Sequence, residues 1–217
     1  MVNIVTPILY SFRRCPFAIR ARLALAYAGI RIELREVLLK AKPAALLEAS
    51  AKATVPVLVL SCNEVLDESW DVVLWATAQN DPQNWRGEDD AHIARAKEWV
   101  FEADTSFKPW LDKYKYADRY PEHGQAFYRK GGEVFLQKLE ATLQHSSFLQ
   151  GDSLSVADIA VFPLLRQFAA VDPHWFASSP YPRSGLWLDG MLKMVLFREI
   201  MVKYPPWSAG DKAIYLP

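Results

Sequence analysis

Cys15 carries the most reactive chemistry in the chain. It is a lone thiol in "SFRRCPFAIRARLALAYAG" (residues 11–29), with two arginines before it and a proline after it. Pro16 suits the first position of a helix, where its missing N–H would have had no partner. Cys15 is therefore predicted at or beside the N-cap, in the positive field of the helix's free N–H groups. A thiolate is stabilised there, so the thiol pKa is expected below its free value of roughly 8.5, with Arg13 and Arg14 adding to the effect. The thiolate is the nucleophilic form. A two-cysteine redox motif would need a partner at position 18, which is Ala18. A mixed disulfide at Cys15 must then form with a thiol from outside, and a small one is the natural candidate. Taken alone, a cysteine before a helix equally fits a small buried hydrophobe. Cys62, in a predicted turn with no cationic neighbour, reads as structural.

Three further features suit the binding of an extended peptide. "TVPV" sets Pro56 inside an apolar strand run, where a proline belongs at an edge or bulge or follows a cis bond. A cis Val55–Pro56 bond would present the Val55 backbone to an added strand; an ordinary edge-strand proline is the alternative. In "DES" a strand meets a helix. The Ser69 hydroxyl and N–H at the helix start suit a carboxylate. Glu68 beside it suits an ammonium group, so the pair matches an α-amino-acid head group, although a bare "ES" cap is common. In "AKP", Lys42 is either solvated or meets a terminal carboxylate.

The elements that must position these groups follow from the apolar spacing. "ILYSF" (8–12) reads as a strand and Pro16–Ala28 as a helix, with Phe17, Leu23, Ala24 and Tyr27 on one face and Gly29 as its stop. "IRIEL" (30–34) alternates as a half-buried strand, and "KPAALLEASA" is a short helix with Pro43 in its first turn. "TVPVLVL" (54–60) and "EVLDE" (64–68) read as two strands, followed by the helix "SWDVVLWATAQ", which Ser69 can cap. The order β-α-β-α-β-β-α describes a small α/β domain over residues 1–80. "DPQNWRG" marks a linker within 81–89. Residues 90–217 are predicted all-helical: a capped helix breaking near Pro109, one carrying Phe135, Leu139 and Leu143 with Gly131 and Gly132 weakening its middle, a very apolar helix, and one across 184–201.

Bulk properties narrow the class. The 217 residues carry 25 Lys and Arg against 25 Asp and Glu, a balance that argues against a dedicated nucleic-acid or anionic-membrane binder. Two cysteines make no disulfide framework, which suits a reducing cytoplasm. No apolar run is long enough to span a bilayer, the N-terminus lacks the features of a secretion signal, and no metal site is expected.

"SFRRCPFAIRARLALAYAGI", "KAKP", "TVPVL" and "LDES" resemble, in order and spacing, the cytosolic glutathione transferases, in particular their cysteine-type, omega-like group. The likeness covers about residues 6–80 and implies a thioredoxin-like domain there. "GDSLSVADIAVFPLL" resembles the capping box of the family's helical domain, with Ser155 and Asp158 in a structural role. The resemblance implies glutathione as co-substrate: Cys15 forming its mixed disulfide, Val55 beside Pro56 pairing with its cysteinyl part, Glu68 and Ser69 holding the γ-glutamyl group, Lys42 the glycine carboxylate, and Phe17 lying close by. Phe12, Trp110 and Tyr114 are candidates for the second-substrate pocket. For Trp110 and Tyr114, packing in the core or in a dimer contact is an equal reading. A homodimer is also implied. The expected activity is thiol transfer to small disulfides, dehydroascorbate or glutathionyl conjugates. Conjugation of glutathione to an electrophile, with Tyr10 or Ser11 as hydroxyl donor, is the alternative. A non-catalytic glutathione- or partner-binding module is the third.

Overall fold

The N-terminal residues alternate between strand and helix because their apolar spacing alternates between two and about three and a half. The computed structural model of the protein, which describes residues 6–60 and 64–216, has the elements in that order. Cys62 lies outside the described residues. β1 (Ile8–Ser11), α1 (Pro16–Tyr27), β2 (Ile32–Glu36), α2 (Ala44–Ala49), β3 (Val57–Val59), β4 (Val65–Leu66) and α3 (Ser69–Gln79) make up the expected β-α-β-α-β-β-α run. β1 pairs parallel with β2 and antiparallel with β3, which pairs antiparallel with β4. Alternation in β2 buries Ile32, Leu34 and Glu36 on one face. Gly29, at φ +66°, takes the left-handed turn that ends α1, a conformation in which a side chain is strained.

A second set of elements is helical: α4 (Asp90–Glu102), a π turn (Ala103–Phe107), α5 (Lys108–Lys115), a short 3-10 turn, α6 (Gln125–Leu143), α7 (Val156–Ala169), α8 (Pro173–Ala177) and α9 (Pro182–Lys193). The π turn is the break expected near Pro109. Proline offers no N–H to the preceding turn, and the wider winding just before it absorbs the loss. α7 is buried almost throughout, as a helix apolar on nearly every side must be. Its first turn is the expected capping box. The Ser155 N–H and hydroxyl donate to one Asp158 oxygen at 3.0 and 2.6 Å, while Leu149 N–H and Trp187 Nε1 donate to the other at 2.9 and 3.0 Å. Burial pushes the Asp158 carboxyl up to about 6, and these donors, Ser155 foremost, pull against it. Both of its oxygens are thus bonded, each by two donors, and it anchors the start of α7.

Gly131 and Gly132 make room instead of merely weakening α6. A Cβ on Gly131 would stand 2.3 Å from the Trp110 ring, and one on Gly132 would stand 2.6 Å from Phe168. Phe168 is buried among Phe107, Tyr114 and Trp175 and has little room to yield. Gly132→Ala would gain up to about 1 kcal/mol of helix propensity. Overpacking typically costs about 1–3 kcal/mol. The expected net result is a loss, read as a lower urea midpoint with unchanged slope.

The chain divides into two units: Asn84–Met194, and the stretch up to Gln83 together with the segment from Val195 onward. That last segment, expected with the helical half, belongs to the first unit. The helix predicted across 184–201 is two, α9 and α10 (Val195–Ile200), separated at Met194, whose backbone is extended at φ −55° and ψ 132°. α10 packs on α1, and β5 (Ile214–Leu216) adds an antiparallel strand beside β2. The sheet order is therefore β4-β3-β1-β2-β5, with one strand more than expected. Among the described residues, no helix is long and apolar enough to cross a membrane.

Candidate active site

Cys15 occupies the N-cap position of α1, with extended backbone at φ −72° and ψ 124°, and Pro16 opens the helix. A turn delivers it there. Cys15 N–H donates to Phe12 C=O at 2.9 Å, and Cys15 C=O accepts the first helical bond from Ile19 at 3.0 Å. The sulfur takes no capping bond from the first turn of α1. Instead Sγ lies 3.6 Å from the Val55 carbonyl oxygen, a contact in which the thiol S–H donates. Field and hydrogen bond act in opposite directions. The positive end of α1 favours the thiolate, while the carbonyl favours the protonated thiol. Cys15 is half-buried and packs with Phe12 and Trp207 against the cluster of Tyr10, Val37, Leu46, Val55 and Val57.

A buried ion pair fixes the turn before the cysteine. Glu36, at the end of β2, accepts the Arg13 N–H on Oε1 at 2.7 Å and pairs through Oε2 with Arg22 of α1. Arg22 also donates to Ser11 Oγ at 2.8 Å and to Ile200 C=O at 3.0 Å. Burial lowers the Arg22 pKa, and Glu36 beside it opposes the shift. Trp207 N–H donates to Glu36 C=O at 2.8 Å, so the returning C-terminal segment is tied to the same carboxylate-bearing residue. Sequence reasoning missed this network, because Arg22 reads as an ordinary polar position on a helix.

The other predicted residues fall as follows. The Val55–Pro56 bond is cis, and Val55 lies outside β3. Glu68, not Ser69, holds the N-cap position of α3, with extended backbone at φ −109° and ψ 130°; Ser69 is the first helical residue. The Ser69 hydroxyl oxygen accepts from buried Arg20 at 3.4 Å, leaving its own hydrogen to donate elsewhere. Glu68 is exposed but not vacant. Lys52 Nζ lies 2.5 Å from its Oε1 and 3.0 Å from Asp67 Oδ1. These bonds raise the Lys52 pKa, with Glu68 the larger cause, and Ser50 and Lys52 lower that of Asp67. Lys52, unremarked in the sequence, thus places an ammonium where a head-group amine would compete. Lys42 is exposed. Phe17 is half-buried with the Arg20 guanidinium 5.0 Å from its ring centre.

Phe12 is half-buried under Arg14 and sits in the Cys15 cluster. Trp110 and Tyr114 belong to the helical unit. Trp110 is half-buried edge-on to Phe127, whereas Tyr114 is 1% exposed and packs on Phe168. Tyr114 is thus a core residue in this conformation and offers no open wall. Phe107, Leu111 and Tyr114, spaced four and three apart, form one buried stripe, and that spacing was the available signal. The hydroxyls of Tyr10 and Ser11 are both engaged. Each is buried, one accepting from Arg35 at 2.7 Å and the other from Arg22.

Comparison with known proteins addresses both units. Residues 9–84 match the model of the glutathione S-transferase N-terminal domain, and residues 133–209 that of the glutathione S-transferase C-terminal domain. Glutathione S-transferase omega-1 of Mus musculus is 27% identical over 195 residues, covering 84% of this chain and 75% of the mouse protein. The Sus scrofa protein of the same name is 27% identical over 191 residues, covering 85% and 76%. Among solved structures, a glutathione S-transferase from Methylobacillus flagellatus with glutathione bound aligns with a TM-score of 0.78. It is 21% identical, over 90% of this chain and 98% of that one.

Proposed function

We propose that this chain, which belongs to the glutathione S-transferase family and is omega-like within it, is a glutathione-dependent thiol transferase working through Cys15. The carrying observation is the half-buried sulfur at the N-cap of α1, 3.6 Å from the Val55 carbonyl. In this reading the Cys15 thiolate attacks the glutathionyl sulfur of a mixed disulfide. The new Cys15–glutathione bond forms as the old S–S bond breaks, and the leaving thiolate takes up a proton. A second glutathione thiolate then attacks the glutathionyl sulfur bound to Cys15, releasing oxidised glutathione and restoring the Cys15 thiolate. One glutathione thiol is oxidised for each mixed disulfide reduced, because the other half of the oxidised glutathione comes from the substrate.

The same reading has the cysteinyl backbone of glutathione pair with Val55, in the extended segment before β3, in the manner of an added strand. Its N–H would take over the carbonyl that the Cys15 thiol now uses, removing a contact that favours the protonated sulfur. Glu68 and Ser69 would receive the γ-glutamyl head group, with Phe17 and Lys42 beside the tripeptide. The head-group amine displaces Lys52 from Glu68 at small cost, since exposed ion pairs contribute little. Ser69→Ala is expected to weaken glutathione binding by roughly tenfold, the loss of a hydrogen bond to a charged group, measured by isothermal titration. Affinity equal to the parent's would remove Ser69 from the site. Phe12 and Trp110 remain candidates for contact with the second substrate.

Conjugation is the lesser reading, because Tyr10 and Ser11, 2% and 0% exposed, lie deeper than the half-buried Cys15. A homodimer belongs to this reading as an implication of the family likeness. A reducing, cytoplasmic setting suits a functional free thiol. The direct test is mass spectrometry after incubation with oxidised glutathione. One glutathionyl adduct is expected, absent in Cys15→Ala; an adduct that persists in that variant sinks the proposal.

A further inference from the structure

The exchange proposed for Cys15 gives the glutathionyl half of its substrate to Val55, Glu68, Ser69 and Lys42. It assigns no charged group to the half that departs. The turn before the cysteine supplies one. Residues 12–15 are closed by the bond from Cys15 N–H to Phe12 C=O, with Arg13 and Arg14 at the two corners.

The two arginines have different surroundings. Arg13 is half-buried and committed: its N–H is held by Glu36, and its guanidinium lies 3.4 Å from the Met201 carbonyl oxygen. Arg14 is exposed, with its guanidinium carbon 5.5 Å from the centre of the Phe12 ring. Among the described residues, no carboxylate lies within ion-pair distance of Arg14. Glu36, the carboxylate that serves this turn, is already taken by Arg13 N–H and Arg22. Phe12 packs in the same cluster as Cys15. A guanidinium lying on that ring is biased toward one place, while its in-plane N–H groups stay open to a planar anion.

Reach is compatible with a role in the exchange. Attack in line with the breaking bond puts the departing sulfur about two S–S bond lengths from Sγ, roughly 4 Å. A carboxylate two carbons further on falls within the span of an arginine on the residue next to the cysteine.

We infer that Arg14 sets specificity at this site: it binds an anionic group on the departing half, so the preferred substrates are mixed disulfides of glutathione with thiols that carry a carboxylate. This inference rests on the exchange reading of Cys15. The bonds made and broken are those of that exchange, and Arg14 touches only the carboxylate and moves no proton.

The test compares the mixed disulfides of glutathione with 3-mercaptopropionate, 2-mercaptoethanol and cysteamine, which are anionic, neutral and cationic in the departing half. In a two-step exchange, kcat/KM for the disulfide reports the first step. The three departing thiols differ in pKa, and any influence of Arg14 on the ionisation of Cys15 acts on all three substrates alike. Both effects cancel when the anionic-to-cationic ratio of kcat/KM is compared between parent and variants. Arg14→Gln should lower that ratio roughly tenfold at low salt, through lost attraction for one substrate and lost repulsion of the other. Arg14→Glu should lower it again by a similar factor, and Arg14→Lys should keep most of it. The differences should shrink in about 0.5 M salt, as screening of exposed charges requires. A ratio unchanged in Arg14→Gln and Arg14→Glu, with the parent reducing all three substrates, overturns this inference and leaves the exchange reading standing. A parent that reduces none of them overturns both.

Discussion

Cys15→Ala is expected to abolish glutathione-dependent reduction of hydroxyethyl disulfide, lowering kcat/KM on the order of a thousandfold or more, as removal of a covalent nucleophile does. Glutathione reductase with NADPH follows the reaction through the oxidised glutathione it makes. No other group in the described site can take over. The neighbouring hydroxyls of Tyr10 and Ser11 are buried, and a hydroxyl does not exchange with disulfides. The variant should fold normally, because it removes only a half-buried sulfur whose S–H bond to the Val55 carbonyl is long. Its affinity for glutathione should stay near the parent's, since the tripeptide is held by backbone and head-group contacts. A variant that bound glutathione but reduced the disulfide at the parent rate would end the thiol-transferase reading. A gain in conjugation of an aromatic halide would move the family assignment toward its other chemistry.

What could be read from the sequence was local chemistry. Proline after Cys15 specifies a helix start within one residue; Ser155 and Asp158 bond each other across a single turn; Pro56 in a strand run admits few backbone solutions. Each is decided by residues within four positions. What stayed hidden was decided over distance. Arg22 meets Glu36 and, 178 residues away, the Ile200 carbonyl, and nothing on its own helix distinguishes it from a solvated arginine. β5 is three residues of ordinary composition, made a strand by the open edge of β2. The break at Met194 has neither glycine nor proline to announce it. Tyr114 stands in a run of lysines that reads as surface, and only its spacing from Phe107 and Leu111 shows that the run has a buried side.

The Arg22–Glu36 pair carries the second large effect, because both partners are buried and each is the other's compensation. Arg22 has no exposed side-chain surface and Glu36 only 9%. Glu36→Gln leaves the guanidinium charged and buried beside a neutral amide. It also turns one of two acceptors, which now serve Arg13 N–H and Arg22, into a donor. Breaking a buried pair from one side typically costs about 3–5 kcal/mol. In a chain of this length that lowers the Tm by roughly ten degrees. Arg22→Met should cost a similar amount, since it strands the Glu36 carboxylate. The double variant Arg22→Met, Glu36→Leu should recover much of the loss, because replacing both charges with apolar groups removes the desolvation penalty together with the attraction. Scanning calorimetry of the four proteins gives the coupling. Stability and activity should nevertheless separate in the double variant. Only the carboxylate holds the Arg13 N–H, and with it the turn that delivers Cys15 to the start of α1. The recovered fold is therefore expected to keep a slower exchange rate, and a double-variant loss equal to the sum of the single losses would show that the two charges do not compensate each other.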